Sequence, residues 1–243
     1  MNIIYDWDDT PKRNQELPNS FRCLIIGESS CGKTCLLLKL LLEDGILDYN
    51  NIIFVGNSLD QPKYQIVKTA FENGLTKAHI REIFKNKNKM NTNECLKTII
   101  GAGIKFGKTK INVVFYDSNE IIPDPKELNK DLKTIVVFDD TMNNKQQDVQ
   151  KAYFTRGRHS NCSVFYLAQS YFELDRKSIR LNTNLLILFP LSDVDVRNIY
   201  RDKIKHTTLK KFQEICKDSW SKDYSYLYID FTKTSNKFKI KPY

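Results

Sequence analysis

Short, unbroken apolar runs recur along this chain, each closed by polar or turn-forming residues. They fall at Arg22 to Ile26, Asn51 to Val55, Ile111 to Tyr116, Thr134 to Phe138, Ser163 to Leu167, Leu185 to Phe189 and Ser225 to Ile229. Runs of this length without polar alternation read as strands covered on both faces. Longer segments lie between them. Cys35 to Leu42 is too apolar for a surface loop and reads as a buried helix that Asp44-Gly45 stops. Residues 61 to about 110 carry a helical pattern interrupted by the polar, lysine-dotted stretch Phe84-Lys-Asn-Lys-Asn-Lys-Met, and Val194 to Lys203 and Thr208 to Lys217 are two further helices. From Asp117 to Leu128, Pro123 and Pro125 keep the chain in a turn-rich loop. Strands alternating with helices predict an α/β fold with a mostly parallel central sheet and helices on both faces.

Composition bounds this picture. At 243 residues, 41% hydrophobic and 28% charged, the chain is long enough for one globular domain with a real core. We expect an N-terminal arm over 1–20, a domain over 21–231 and a loosely held basic tail over 232–243. No apolar stretch is long enough to cross a bilayer, and the first residues carry acids where a signal peptide needs bases. Both points predict action inside a cell and away from membranes. The six cysteines include no C-x-x-C pair, so reduced thiols are expected rather than zinc. A net charge of +9, spread over lysine-rich segments, favours a polyanionic partner, with solvated surface lysine as the bland alternative.

The chemistry begins directly after the first apolar run. Gly27-Glu28-Ser29-Ser30-Cys31-Gly32-Lys33-Thr34, leading into Cys35, fills G-x-x-x-x-G-K-[ST] completely. A match to its four fixed positions arises by chance in about one chain in a hundred of this length. Glycines at both ends let the backbone curl so that its N–H groups point at a phosphate, and the following helix adds the positive end of its dipole. Lys33 is placed to bridge the β- and γ-phosphates and Thr34 to hold Mg²⁺.

A phosphate loop needs a second metal-positioning acid at a strand end. Asp117 and Asp139 are the two candidates, and Asp139 is preferred because Asp140 follows it at once. The first acid of such a pair holds Mg²⁺ through water while the second polarises the attacking water. Beyond the doublet come Arg156-Gly-Arg158-His, then a strand ending in Ala168-Gln169-Ser170. An amide at the tip of that strand can hold the lytic water or report the γ-phosphate. An arginine just before the strand could reach a phosphate in a neighbouring subunit. A capping glutamine and a solvated basic loop are the plain alternatives.

Taken in order, these motifs resemble the FtsK/HerA superfamily of RecA-like DNA pumps. Phe115-Tyr-Asp-Ser-Asn-Glu-Ile-Ile-Pro-Asp-Pro, Ile135-Val-Val-Phe-Asp-Asp, Arg156-Gly-Arg-His and Tyr166-Leu-Ala-Gln-Ser are similar to the poxvirus-type genome-packaging ATPases of large DNA viruses, virophages and Polinton-like elements. The resemblance covers roughly residues 20 to 230. It implies a RecA-like P-loop fold of the ASCE type, ATP and Mg²⁺ as cofactors, and a homo-oligomeric ring, pentamer or hexamer, that threads double-stranded DNA into a preformed capsid. Capsid or portal proteins would be its partners and the host cytoplasm or viral assembly site its location. On that mapping Lys33 and Thr34 bind nucleotide and metal and Asp139 completes the metal site. Asp140 stands for the usual catalytic glutamate, one methylene shorter, Gln169 is the sensor, and Arg158, with Arg156 in reserve, is the arginine finger. Lys85 to Lys89, Lys105 to Lys110 and the tail are the candidate DNA-gripping segments.

Two other readings compete. A GTPase needs an N-K-x-D element, and Asn86-Lys87, Asn129-Lys130 and Asn144-Lys145 all lack the Asp. A small-molecule kinase needs an arginine-rich lid, whereas Arg156 and Arg158 precede a strand. A nucleotide-binding scaffold without turnover is the third possibility, and retention of Lys33, Thr34, Asp139 and Asp140 argues against it.

Overall fold

A computed structural model describes residues 17, 20–86, 91–106, 111–117, 120–141, 147–232 and 237–241. In chain order the elements are β1 (Arg22–Ile26), α1 (Lys33–Leu42), β2 (Asn51–Gly56), α2 (Pro62–Glu72), α3 (Lys77–Asn86), α4 (Thr92–Phe106), β3 (Asn112–Asp117) and β4 (Thr134–Asp139). They continue with α5 (Gln147–Arg156), β5 (Cys162–Ala168), β6 (Leu185–Leu188), α6 (Asp193–Lys203), α7 (Leu209–Ser219), β7 (Tyr226–Asp230) and β8 (Lys237–Lys241). The strands form one sheet in the order β3-β2-β4-β5-β1-β6-β7-β8. From β3 to β6 the pairings are parallel, while β6–β7 and β7–β8 are antiparallel. This is the expected α/β architecture with a mostly parallel sheet.

Successive residues of a strand point to opposite faces, so each apolar run supplies two cores at once. Cys23, Ile25, Ile52, Phe54, Ile135 and Val137 face the side covered by α1 to α4. Leu24, Ile26, Ile53, Val55, Val136 and Phe138 face α5, α6 and α7. Helix α1 shows why the leucine run is helical here. Ten residues are too few for a stable isolated helix, but Leu36, Leu37, Leu38, Leu40, Leu41 and Leu42 are all buried. At about 2 kcal/mol for each buried leucine, tertiary packing outweighs the nucleation cost.

Two elements depart from the expectation. Helix α5 carries one i, i+3, i+4 set, Val149, Ala152 and Tyr153, among polar residues, too short a repeat to stand out. The tail expected to be loosely held over 232–243 is corrected at residues 237–241, which pair antiparallel with β7 from Tyr226↔Lys241 to Asp230↔Lys237. Its composition is basic, but Lys237-Phe-Lys-Ile-Lys241 has the two-residue period of a strand. Most of the N-terminal arm, and residues 87–89 and 107–110 of the lysine-rich segments, lie outside the described residues.

Strand β1 lies between β5 and β6, so the chain leaves it on one side and later returns on the other. Such a switch point opens a crevice at the carboxyl ends of the strands. At the opposite ends cations gather. Burial and the charge of Arg158 push the Arg22 guanidinium below its ordinary value. Lys203 donates to the carbonyls of Leu181 and Thr183 at 2.8 Å, and burial, with Arg22 beside it, lowers its ammonium to about 8. Asp202, fully buried, lies 2.9 Å from Arg176 and 3.5 Å from Arg180. Among the described residues no cysteine is bridged, and no helix is long and apolar enough to cross a membrane.

Candidate active site

The loop between β1 and α1 is shaped by what its glycines lack. A Cβ on Gly27 would lie 2.5 Å from the Phe189 Cβ and 2.7 Å from the Cys31 Sγ. Ser30 at φ 63 and Gly32 at φ 105 turn the chain through the left-handed region. Gly32 then caps α1 without a side chain, whereas Ser192 and Thr208 cap α6 and α7 with their hydroxyls. The first N–H groups of α1 are thereby left for an anion. Lys33 is folded back on the loop, its Nζ donating to the carbonyls of Gly27 and Glu28, each at 2.7 Å.

Asp139 ends β4 level with Gly56 of β2 and Leu167 of β5. A Cβ on Gly56 would lie 2.8 Å from the Asp139 carbonyl, so a bare backbone there lets the strand end sit close. Asp140 follows at φ 52, its carbonyl accepting from the Asn57 amide. Behind it Thr141 is buried and takes two bonds from Gln150 of α5, at 3.1 and 2.7 Å, while the Tyr166 hydroxyl donates to Gln150 Oε1 at 3.2 Å. This buried network fixes the chain immediately after the doublet.

Burial raises the Asp139 carboxyl above its ordinary range; Asp140 raises it further, and the Tyr64 hydrogen bond and Lys33 oppose the shift. The Tyr64 hydroxyl donates to Asp139 Oδ2 at 2.5 Å. Burial first, and then the Asp139 charge, push the Tyr64 phenol well above its ordinary value, so it stays a donor.

Asp139, Asp140 and the loop before α1 border a cleft of about 540 Å³. Ser29, Ser30, Gly32, Lys33, Thr34 and Cys35 form one wall, and Asp139, Asp140 and Gln169 form another. Gly27 and Glu28 take part through the carbonyls that hold Lys33, and the Cys31 Sγ lies 3.9 Å from Lys33 Nζ. The strand tip carrying Gln169 is anchored one residue on, where Asp195 accepts from the Ser170 hydroxyl at 3.1 Å and the Phe172 N–H at 2.8 Å. Asp117 ends β3 at the sheet edge, beyond Gly56, and does not line the cleft.

Arg156 and Arg158 lie elsewhere. They precede β5, so the whole of that strand, roughly 20 Å, separates them from Gln169. Arg156 pairs with Asp124 at 3.1 Å, and Arg158 is exposed beside Arg22. Neither reaches the cleft of its own chain.

Tyr64, Lys63, Ser58, Gln61 and Tyr224 were not anticipated. Lys63, Ser58 and Gln61 line the cleft after β2. The usable signal was positional, since Gly56-Asn57-Ser58 ends a strand beside the one ending in Asp139. Tyr224, 57% exposed at φ 58, borders the cleft near Gly32 from the turn before β7, and no motif marks it.

The donors suit a hard divalent cation bound together with phosphate: the Thr34 hydroxyl and the Asp139 carboxylate are oxygen ligands facing one cleft. Among the described residues no three His, Cys, Asp or Glu side chains could hold a metal by themselves, so phosphate oxygens and water would complete its shell.

The sequence profile of the Poxvirus A32 protein matches residues 10–238. The chain belongs to this family. Comparison with curated protein sequences returns no match. Solved structures share the fold of this A32-family chain. The genome packaging NTPase B204 of Sulfolobus turreted icosahedral virus 2, in complex with ATP-gammaS, has a TM-score of 0.54 at 13% identity, covering 92% of this chain and 98% of its own. Its sulfate complex has a TM-score of 0.53 at 13% identity over 93% and 99%. B204 of Sulfolobus turreted icosahedral virus, a DNA-packaging ATPase, has a TM-score of 0.51 at 12% identity over 93% and 100%. At these identities the likeness concerns the fold, that of P-loop ATPases.

Proposed function

We propose that this chain is an ATP-hydrolysing motor that moves double-stranded DNA into a viral capsid, working as a homo-oligomeric ring docked on capsid or portal proteins. One observation carries the reading: Lys33, Thr34, Asp139, Asp140 and Gln169 border one cleft, while Arg158 lies at the far end of the same sheet. A site complete except for an arginine, on a chain with an exposed arginine it cannot use itself, is the arrangement of a catalyst shared between subunits.

In the proposed reaction Lys33 leaves the carbonyls of Gly27 and Glu28 and takes oxygens of the β- and γ-phosphates, which the loop N–H groups also hold. Thr34 and Asp139 would hold Mg²⁺, which neutralises charge on those phosphates when bound. Asp140 would accept the proton of the water attacking the γ-phosphorus as the bond to the β–γ bridging oxygen breaks and ADP leaves, and Gln169 would orient that water or report the γ-phosphate along the strand tip anchored at Asp195. Arg158 of a neighbouring subunit neutralises charge in the transition state. Lysines grip the DNA through phosphate contacts, which carry no sequence preference and suit cargo of any sequence.

Steady-state ATP hydrolysis by the purified chain with Mg²⁺, with and without double-stranded DNA, tests this alongside the mass in solution. Stimulation by DNA in a ring-sized assembly is expected. A monomer that hydrolyses ATP at the same rate with or without DNA, and stays so when capsid proteins are added, would overturn it.

A further inference from the structure

Asp139, one of the metal-binding pair proposed above, has a buried neighbour. Tyr64 sits in the first turn of α2 and is 0% exposed. Its ring packs edge-on against Phe54 of β2, at 5.4 Å between centroids, and against Phe115 of β3, at 6.4 Å. Its oxygen donates to Asp139 Oδ2 at 2.5 Å.

The phenol is the donor in this bond, which holds Oδ2 of Asp139 and leaves the other carboxylate oxygen outside it. A strand-end carboxylate that ligates a metal must be kept from turning. One phenol, clamped by two aromatic rings, meets that requirement.

The geometry points to Tyr64 as a positioning residue of the metal site: it orients Asp139 without touching the ion. This inference rests on the assignment of Thr34 and Asp139 to Mg²⁺. Partners of this kind change metal affinity by about 10- to 100-fold when removed.

The experiment compares the full-length protein with Tyr64→Phe, Asp139→Asn and Tyr153→Phe. Tyr153 donates to the Pro123 carbonyl at 2.9 Å in the other core, outside the site, and controls for loss of a buried hydroxyl. Binding of a fluorescent non-hydrolysable ATP analogue is measured without metal. Mg²⁺ is then titrated into that complex, and Mn²⁺ binding is read by electron paramagnetic resonance.

Tyr64→Phe is expected to raise the Mg²⁺ half-saturation and the Mn²⁺ dissociation constant by about 10-fold or more. Its metal-free analogue affinity and its melting temperature should match those of Tyr153→Phe. An unchanged half-saturation in Tyr64→Phe, with Asp139→Asn strongly shifted, would overturn the inference and leave the metal assignment standing. An equal loss of metal-free binding would make Tyr64 a packing residue and also overturn it. If Asp139→Asn leaves Mg²⁺ and Mn²⁺ binding unchanged, the metal assignment fails and takes the role of Tyr64 with it.

Discussion

At the carboxyl ends of its strands this A32-family chain collects backbone N–H groups, two lysines and two carboxylates around a cleft. At the amino ends, roughly 20 Å away, it gathers Arg22, Arg158 and Lys203. The first end is built to surround a ligand, its helix capped by a bare glycine and its loop passing twice through the left-handed region. At the second, burial, with a neighbouring cation beside each, lowers Arg22 and Lys203. Two groups at opposite ends of one sheet do not meet within a single copy; in the proposed motor they would meet between copies arranged head to tail.

The severest challenge to this contrast is Arg158→Ala. Turnover should fall by about 10³- to 10⁵-fold, with analogue affinity retained, because the residue lies outside its own cleft. Mixing Arg158→Ala subunits with Lys33→Ala subunits should restore part of the rate; absence of any recovery would return the arginine to the status of a solvated surface group. Lys33→Ala acts at the other end. It should weaken nucleotide binding and lower turnover by on the order of 10²- to 10³-fold, read by analogue titration and steady-state hydrolysis, and hydrolysis at the normal rate would dismantle the cleft assignment.

A smaller effect follows from burial. The Asp139 carboxyl lies above its ordinary range, so protons compete with the metal at a higher pH than an ordinary aspartate would allow. As pH falls, the Mg²⁺ half-saturation should begin to rise while exposed carboxylates are still ionised, and Asp139→Asn should abolish that dependence. The smallest effect belongs to Asp117→Asn. Beyond Gly56 at the sheet edge, Asp117 should change turnover by less than about twofold, and a severe loss there would transfer the metal role to β3.

The sequence made some of this legible and hid the rest for physical reasons. The strands could be read because burial on both faces leaves no polar alternation, and Gly27 to Thr34 because a phosphate cradle tolerates few residue types at fixed spacing. Asp139 could be ranked above Asp117 because a doublet is a local signal. The place of Arg158 far from its own cleft followed from the chain order of strand and loop. Tyr64 was invisible: it contacts Asp139 across 75 residues of sequence, and an aromatic at the start of a helix usually signals only core. The strand at 237–241 was misjudged because charge was weighed before period, and α5 because one helical repeat among polar residues is weak.

The folded-back position of Lys33 bears on how the proposed site would treat bystanders. An ammonium already holding two carbonyl oxygens at 2.7 Å has little to gain from a lone phosphate group of passing DNA. Only a ligand that also satisfies the loop N–H groups offers enough to draw it away. On the proposed reading the lysine would work as a latch as well as a ligand, favouring polyphosphate in an enzyme that would spend its working life pressed against a phosphate polymer.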